Sequence, residues 1–311
     1  MAEVVVAEFM DEAAVDELRG RFQVHYDPTL VDRQDELIAA LADARGLIVR
    51  NRTQVRGVLL AAATRLEAVG RLGVGLDNID LDACRARGIA VLPATGANAV
   101  AVAEYVLAAA LTLLRPVFAA GDEVLAGAWP RERLIGRELA DRRLGLLGYG
   151  RIGRDVARRA CAFGMRVAAH DPDVPTHDRA WAEVERRPDL EALLAAADVL
   201  SLHVPLTEAT RGLLDASALA LLPPGAIVIN TSRGGILDEA ALVAALRAGA
   251  IGGAALDVFD GEPLTAEAAM LFAGCPNLLL TPHIAGVTEE SNVRVSQLTA
   301  RNLAATLRQR E

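Results

Sequence analysis

The sequence is poor in cysteine and has no excess of positive charge. Its three cysteines, Cys84, Cys161 and Cys275, lie far apart and form no C-x-x-C pair. This spacing argues against a disulfide framework and a zinc site, and it favours a reducing compartment. The net charge of −9 at pH 7 argues against nucleic acid or an anionic membrane as a partner. An acidic protein that binds an anion must concentrate its positive charge at a few arginines.

Long uninterrupted apolar runs and targeting signals are also missing. The N-terminus carries acids early and has no basic segment, so it is not a signal peptide. The longest apolar stretch, "AVAVAEYVLAAALTLLRP", contains Glu104 and stops at Arg115 and Pro116, which predicts a buried helix rather than a membrane span. With 311 residues, of which 52% are hydrophobic, the chain is long enough for two globular domains. We therefore expect a cytoplasmic protein without a membrane partner.

What the sequence does contain is a regular alternation of strand and helix patterns. Strands are predicted at "VVVAEF" (4–9), "GLIVR" (46–50), "RLEAVGR" (65–71) and "GIAVLP" (88–93), with a helix at 11–20. The same rhythm restarts at "RRLGLLGYGRIG". Strands that alternate with helices predict parallel sheets covered by helices. The fold class expected is α/β, with two Rossmann-like domains.

Two helical segments set the expected domain boundaries. A long helix that starts near Asn98 has no strand of its own unit before it and is predicted to bridge the units. The last helix begins with Thr288 as its N-cap and is expected to return to the first unit. We predict a discontinuous first domain at 1–95 plus 288–311 and a second domain at 96–287.

The segment "LGLLGYGRIGRDVARRACAFGMRVAAHD" carries the pattern of a dinucleotide site. Gly148, Gly150 and Gly153 form G-x-G-x-x-G between an apolar strand and a helix. The first glycine permits a tight turn, the second lets the backbone approach a pyrophosphate, and the third allows close packing of helix on strand. Asp171 ends the next strand, 21 residues beyond Gly150, where a carboxylate would accept the ribose hydroxyls. Since this carboxylate would repel a 2′-phosphate, NAD is favoured over NADP.

Polar groups follow three later strands, where open α/β sheets bind their ligands. Arg233 follows "IVINTS", Asp257 and Glu262 follow "GAAL", and His283 follows "LLLTP". Reduction of a 2-oxo acid requires a proton donor at the carbonyl and a cation for the carboxylate. A guanidinium binds a carboxylate bidentately, and a histidine beside a carboxylate exchanges a proton near neutral pH.

In these residues the chain resembles the D-2-hydroxyacid dehydrogenase family, most closely the short 3-phosphoglycerate dehydrogenases. The matching blocks cover nearly the whole chain and include "VGLDNID", "SLHVPLTEATRGLLD", "INTSRGGILDE", "AALDVFDGEP" and "TPHIAG". The resemblance implies that 1–95 plus 288–311 form a flavodoxin-like, substrate-binding domain and 96–287 a dinucleotide-binding domain for NAD, with a cleft between them. It also implies a catalytic set of Arg233 as carboxylate clamp, Glu262 as orienting carboxylate and His283 as acid–base. No metal is expected.

The resemblance further implies the residues that contact each ligand. The cofactor-binding set is Gly148, Gly150, Arg151, Ile152, Gly153, Asp171, Val204, Thr231, Asp257, His283 and Gly286. The substrate-binding set is Arg50, Asn51, Val74, Gly75, Arg131 and Arg233. His203 matches a family histidine near the adenine side.

A cluster of arginines predicts a second anionic group on the substrate. Arg50 follows a strand, beside Asn51 and Arg52, and Arg131 stands where related enzymes also carry basic residues. The candidates are 3-phosphoglycerate and 3-sulfolactate. Asn51 stands where the family often has serine, so the sulfonate remains open, and no regulatory domain is expected after Glu311.

Two other functions and one partner complete the expectations. Hydroxypyruvate or glyoxylate reduction is the alternative activity, and an NAD-sensing corepressor is a remote one. The family is typically dimeric. The helix from Asn98 to Leu114 has too little polar surface to lie alone, which predicts a homodimer interface there.

Overall fold

A computed structural model describes residues 2–309, with two compact α/β units. The strands are β1 (Val4–Val6), β2 (Val24–Tyr26), β3 (Gly46–Val49), β4 (Ala68–Arg71), β5 (Ala90–Pro93), β6 (Arg143–Leu147), β7 (Arg166–His170), β8 (Glu185–Arg186), β9 (Val199–Leu202), β10 (Ile227–Asn230), β11 (Gly253–Leu256) and β12 (Leu278–Leu280). The α-helices are α1 (Glu12–Arg19), α2 (Gln34–Leu41), α3 (Gly57–Ala62), α4 (Leu81–Ala86), α5 (Ala99–Leu114), α6 (Gly121–Leu125), α7 (Arg151–Ala162), α8 (Leu190–Leu194), α9 (Ala216–Leu219), α10 (Glu239–Arg247), α11 (Ala266–Ala269) and α12 (Glu289–Arg308). Short 3₁₀ helices lie at Leu30–Asp32, Pro116–Ala119, Arg179–Ala182 and Met270–Phe272.

The first unit, Met1–Asn98 with Val287–Glu311, contains a parallel five-stranded sheet. Its strand order is β2-β1-β3-β4-β5, the flavodoxin-like order, in which the chain reverses direction along the sheet between β1 and β3. Ligands bind such sheets at the carboxyl ends of the strands beside this reversal. Glu8 follows β1 there and Arg50 follows β3.

The predicted strand at 4–9 is shorter in the structure, because β1 ends at Val6. Beyond it the buried Glu8 turns its carboxylate towards the loop after β3, where it accepts the N–H groups of Arg50 at 2.8 Å and Thr53 at 3.0 Å. At Glu8, hydrogen bonds from loop N–H groups to the side-chain carboxylate thus replace the backbone hydrogen bonds between β1 and β3.

The last helix packs on this first sheet, as the sequence predicted. Thr288 caps α12 and forms a reciprocal capping box with Ser291. Leu303 and Leu307 are fully buried against the strands. A Cβ at Gly46 would lie 3.2 Å from both leucine side chains, so the glycine lets the helix approach β3 closely. Residues 310 and 311, which the helix prediction included, and residue 1 lie outside the described residues.

The second unit, Ala99–Gly286, contains a parallel seven-stranded sheet. Its order, β12-β11-β10-β9-β6-β7-β8, reverses between β6 and β9, as in a dinucleotide-binding fold. The predicted fold class of two parallel-sheet α/β domains is confirmed. The assignment of 1–95 plus 288–311 to substrate and 96–287 to NAD stays a prediction.

Helix α5 differs from its expected role in one respect. Most of its side chains are buried within its own unit, in a core shared with α7 and with β10 and β11. Helix α7 therefore covers much of the apolar surface of α5, and the homodimer interface expected at this helix stays a prediction. Within residues 2–309 no single helix is long and apolar enough to cross a membrane, although α5 together with the bent segment Pro116–Leu125 has the required length and composition.

Candidate active site

The glycine-rich turn after β6 has the geometry that its pattern predicted. Gly148 adopts φ 94°, and a Cβ there would lie 2.7 Å from the carbonyl oxygen of His203. A Cβ on Gly153 would lie 2.6 Å from the carbonyl oxygen of Gly148, so α7 can start only against a bare backbone. A Cβ on Gly150 would meet no protein atom within 4 Å. The packing thus requires the first and third glycines, while the second borders open space, which fits an approaching pyrophosphate.

Asp171 lies at the end of β7 and is held rigidly to this turn. Its Oδ2 accepts the N–H of Tyr149 at 2.7 Å, and its Oδ1 accepts the N–H of Asp173 at 2.9 Å. The Tyr149 ring stacks on Trp181 with centroids 4.8 Å apart. Each carboxylate oxygen keeps a second lone pair, so Asp171 can still accept ribose hydroxyls.

Residues after β9 and β10 lie next to the glycine turn. Ser232 Oγ donates to the carbonyl of Val204 at 2.8 Å, and a Val204 methyl lies 3.0 Å from the position of a Cβ on Gly148. The buried Thr231 Oγ1 has no hydrogen-bond partner among residues 2–309. A buried hydroxyl without a protein partner at this sheet edge can form a hydrogen bond with a polar group of a bound dinucleotide. Arg151 and Ile152 form the first turn of α7.

His203 lies beside this region. Loss of contact with water lowers the pKa of His203 to about 4, so the ring is neutral at physiological pH. Its Nε2 lies 3.0 Å from the Oγ of the fully buried Ser201.

Glu262 and His283, which the sequence predicted as an acid–base pair, lie in contact. His283 Nδ1 lies 2.7 Å from Glu262 Oε2, and both side chains are about one-third exposed, at 39% and 33%. Burial raises the pKa of Glu262, but the hydrogen bond and charge of His283, the N–H of Phe259 and the charge of Arg233 together hold it below its usual value. Glu262 is therefore an anion at neutral pH, and it fixes the Nδ1 side of the imidazole. Nε2 is left as the atom that can exchange a proton.

The turn that carries His283 is held by Asp257. His283 adopts φ 53°, a left-handed conformation that is unfavourable for a residue with a side chain. Its N–H donates to the carbonyl of Asp257 at 2.8 Å. The buried Asp257 carboxylate accepts the N–H groups of Ile284 and Ala285, both at 2.8 Å, and the hydroxyl of Thr281 at 2.6 Å. Most of the hydrogen-bonding capacity of Asp257 is thus used to position the histidine, a role that the sequence did not reveal. Gly286 ends this turn.

Arg233 precedes two glycines, Gly234 and Gly235, at positions that do not readily accept a side chain. A Cβ on Gly234 would lie 1.9 Å from the carbonyl oxygen of Phe259. Gly235 adopts φ 75° and donates its N–H to Asp260 at 2.5 Å. Arg233 Nη1 donates to the carbonyl of Ser232 at 2.6 Å. The turn presses against the segment that leads to Glu262, which explains the electrostatic influence of Arg233 on that carboxylate.

In the first unit, Arg50 is a half-buried cation. Its guanidinium donates to Asn292 Oδ1 and lies 5.7 Å from the ring centre of Phe9. Burial lowers its pKa, and the charge of Glu8 opposes this effect. Arg50 makes no ion pair within residues 2–309, whereas its neighbour Arg52 is paired with Asp32. Asn51 is exposed beside it.

The other predicted substrate residues lie on two different segments. Val74 and Gly75 follow β4, and their N–H groups donate no hydrogen bond to any residue among 2–309. Arg131 belongs to the second unit, where it borders a shallow depression of about 450 Å³ with Arg115 and Arg137.

Comparison with known proteins agrees with this geometry. Residues 107–285 match the family model described as D-isomer specific 2-hydroxyacid dehydrogenase, NAD binding domain. The (S)-sulfolactate dehydrogenase of Chromohalobacter salexigens is 55% identical over 307 residues, which cover 99% of both chains. The D-3-phosphoglycerate dehydrogenase of Archaeoglobus fulgidus is 38% identical over 300 residues, covering 96% of this chain and 56% of that protein.

A solved structure shares the whole architecture. The TT0316 protein from Thermus thermophilus superimposes with a TM-score of 0.86 at 37% identity, covering 99% of this chain and 97% of the other. The matched family binds NAD and oxidises or reduces a CH–OH group. The chain therefore belongs to the D-isomer specific 2-hydroxyacid dehydrogenase family.

Proposed function

We propose that the protein interconverts 3-sulfolactate and the corresponding 2-oxo acid with NAD as hydride carrier. The observation that carries this proposal is Arg50, a half-buried guanidinium at the reversal point of the first sheet with no carboxylate partner in the described chain. A desolvated cation of this kind is costly unless an anion joins it. A substrate anion on C3 supplies that partner.

The surroundings of Arg50 favour a sulfonate over a phosphate. Its guanidinium contacts neutral groups, namely the amide of Asn292 and the ring of Phe9, while the charge of Glu8 also acts on it. A sulfonate carries one negative charge, whereas a phosphate monoester carries between −1.5 and −2 at neutral pH. One cation whose charge is already partly offset by Glu8 matches the smaller charge. The 55% identity to an (S)-sulfolactate dehydrogenase supports the same choice.

The catalytic roles follow from the chemistry of each group. During oxidation of the hydroxy acid His283 Nε2 would take the hydroxyl proton, and Glu262 would stabilise the imidazolium that forms. Arg233 would hold the carboxylate and polarise the carbonyl oxygen. The N–H groups of Val74 and Gly75 would donate hydrogen bonds to oxygens of a substrate carboxylate. When bound, NAD supplies the hydride acceptor, and Gly148 to Gly153, Asp171 and Thr231 would hold it.

Replacement of Arg50 by alanine is expected to raise KM about ten- to a hundredfold for 3-sulfolactate, because a charge-assisted contact to an oxyanion is lost. KM for lactate and glycerate should change less than about twofold, because neither has an anion on C3. The measurement is kcat/KM with sulfolactate, phosphoglycerate, glycerate and lactate for both proteins.

Arg52→Ala is the matched control, since Arg52 lies two residues away and is paired with Asp32. It should leave all four KM values unchanged. If glycerate or lactate is the best substrate of the unmodified enzyme, the proposal of a second anion is wrong and a hydroxypyruvate or glyoxylate reductase becomes the better assignment. If phosphoglycerate is best, the charge argument for the sulfonate is wrong.

The cofactor preference gives a second prediction. The unmodified enzyme should use NAD with a much higher kcat/KM than NADP, because Asp171 is fixed beside the ribose position and would repel a 2′-phosphate. Asp171→Ala should reduce the difference between the two kcat/KM values, mainly by lowering kcat/KM for NAD. Asp173→Ala is the control, because it removes a neighbouring carboxylate but keeps the N–H that Asp171 accepts. Equal kcat/KM for both cofactors in the unmodified enzyme would refute the role of Asp171.

A homodimer remains part of the proposal, but its apolar contact surface lies after α5. Between residues 116 and 136, four large apolar side chains are at least three-quarters exposed: Phe118, Leu125, Trp129 and Ile135. So many exposed apolar groups in one segment are typical of a protein–protein interface. We expect light scattering at micromolar concentration to give the mass of a dimer, and Leu125→Asp to shift it towards the monomer. A monomer in the unmodified protein would contradict the prediction.

A cytoplasmic location is also proposed. The three cysteines, Cys84, Cys161 and Cys275, are all free thiols in the structure, which supports a reducing compartment.

A further inference from the structure

Arg71 is a residue that neither the sequence analysis nor the proposed roles include. It is the last residue of β4 and is paired in register with Val49, the last residue of β3, which Arg50 directly follows. Two residues later comes the loop Gly73–Gly75, where the N–H groups of Val74 and Gly75 donate no hydrogen bond to the described residues. Arg71 therefore stands at the base of the loop to which we assigned the substrate carboxylate.

The Arg71 guanidinium occupies the space that a side chain at position 73 would fill. A Cβ on Gly73 would lie 1.9 Å from Arg71 Nη1, and Gly73 adopts φ 152°. Arg71 Nη1 also donates to the carbonyl of Leu72 at 2.8 Å. The side chain of Arg71 thus folds back along the loop that follows it and is packed against the Gly73 backbone.

The remaining hydrogen bonds of this segment hold only the start of the loop. Leu72 donates its N–H to Val49, Gly73 donates to the carbonyl of Arg71, and Ala94 donates to the carbonyl of Gly73, each at 2.8 Å. Within residues 2–309 no such bond restrains the N–H groups of Val74 and Gly75. The guanidinium packs against the Gly73 backbone directly before these two N–H groups, and its positive charge therefore lies close in sequence to them.

We propose that Arg71 is a positioning residue that holds the Gly73–Gly75 loop in its anion-binding conformation. The inference rests on the proposed function, in which this loop receives the substrate carboxylate. That carboxylate is common to all 2-hydroxy acids, whereas the C3 anion assigned to Arg50 is not. Loss of Arg71 should therefore weaken every substrate alike, and loss of Arg50 should weaken only those with a C3 anion.

The test is steady-state kinetics of Arg71→Ala with sulfolactate, glycerate and lactate. We expect KM to rise about tenfold or more for all three acids, because binding of the carboxylate is lost equally in the ground state and the transition state, while kcat stays within about twofold. The dissociation constant of NADH should not change. Added guanidinium ion should restore part of the lost affinity, and Arg71→Lys should remain impaired because an ammonium lacks the planar fork.

Gly73→Ala provides a second variant that keeps Arg71 but displaces its guanidinium. It should give the same rise in KM for all three acids.

Two matched controls lie in the same unit. Arg87→Ala removes an arginine that donates to the carbonyls of Leu60 and Ala63, and Gly88→Ala changes a glycine with φ 68° that has no atom within 4 Å of a built Cβ.

Different results overturn different statements. Unchanged KM values in both Arg71→Ala and Gly73→Ala would refute the positioning role, even if Arg50→Ala behaves as proposed. A rise confined to sulfolactate would place the loop at the C3 anion and would also refute it. An increase in KM that Arg87→Ala and Gly88→Ala reproduce would show only a general loss of stability. If Arg50→Ala has no effect while Arg71→Ala weakens all three acids, the second-anion function fails and the loop assignment stands.

Discussion

His283→Ala is expected to lower kcat by about a hundredfold or more in both directions, because a positioned acid–base group contributes a factor of that size. The pair Glu262–His283, with Nδ1 and Oε2 2.7 Å apart, leaves Nε2 as the group that exchanges the proton. KM for the hydroxy acid should change little, because Arg233 and the Gly73–Gly75 loop still bind the carboxylate. The measurement is kcat for sulfolactate oxidation and for reduction of its 2-oxo acid.

His177→Ala is a suitable control, since this histidine is exposed on the loop after β7 and has no assigned role. It should retain full activity.

Glu262→Gln adds a pH test. The carboxylate favours the protonated ring, so its removal should shift the rising limb of the oxidation profile to lower pH. A His283→Ala enzyme within tenfold of full activity would remove His283 from the mechanism, and an unshifted Glu262→Gln profile would remove Glu262.

Arg233→Lys should reduce kcat/KM nearly as much as Arg233→Ala, by about a hundredfold or more. Bidentate, charge-assisted binding of a planar carboxylate requires the guanidinium fork, which a point charge on lysine does not reproduce. The backbone also prevents adjustment. Gly234 is packed against the Phe259 carbonyl, where a Cβ would come within 1.9 Å, so the turn cannot move to bring a shorter side chain into place.

Arg211→Lys is the matched control for this change. Arg211 Nη1 lies 3.3 Å from the position of a Cβ on Gly235, beside the same turn, but has no assigned role in catalysis. Its replacement should leave kcat/KM within about threefold, since surface substitutions of this kind cost little. If Arg233→Lys retains most of the activity, charge alone is sufficient and the bidentate clamp is wrong.

The parts of the site that depend on backbone sterics could be read from the sequence. Gly148 and Gly153 are required by contacts of 2.7 and 2.6 Å that any Cβ would make, and such requirements leave a glycine at a fixed spacing. Thr288 could be identified in the same way, because its hydroxyl satisfies N–H groups at the start of a helix. The contact of Gly153 with Gly148 and the cap at Thr288 are local, within a few residues, whereas the contact of Gly148 with His203 joins residues 55 apart.

Long-range contacts were missed because the sequence carries no sign of them. Asp257 accepts N–H groups 27 and 28 residues further along the chain, and Asn292 contacts Arg50 across 242 residues. Tyr105 is another example, with its hydroxyl 2.6 Å from that of Thr281. The short edge strands β2 and β8 also escaped prediction, since three and two residues are too few to show an alternating pattern.

The packing of α12 on the first sheet has a consequence for biosynthesis. Side chains of α12, among them Leu303 and Leu307, complete a core whose other residues come from the first 98 positions. A ribosome therefore releases the entire contiguous second unit, 99–286, before the helix that closes the first core has been made. We expect the second unit to fold first during translation, although its sequence comes later. Until α12 has been synthesised, one apolar face of the N-terminal sheet stays uncovered. The earliest residues of the chain are thus the ones most in need of a chaperone.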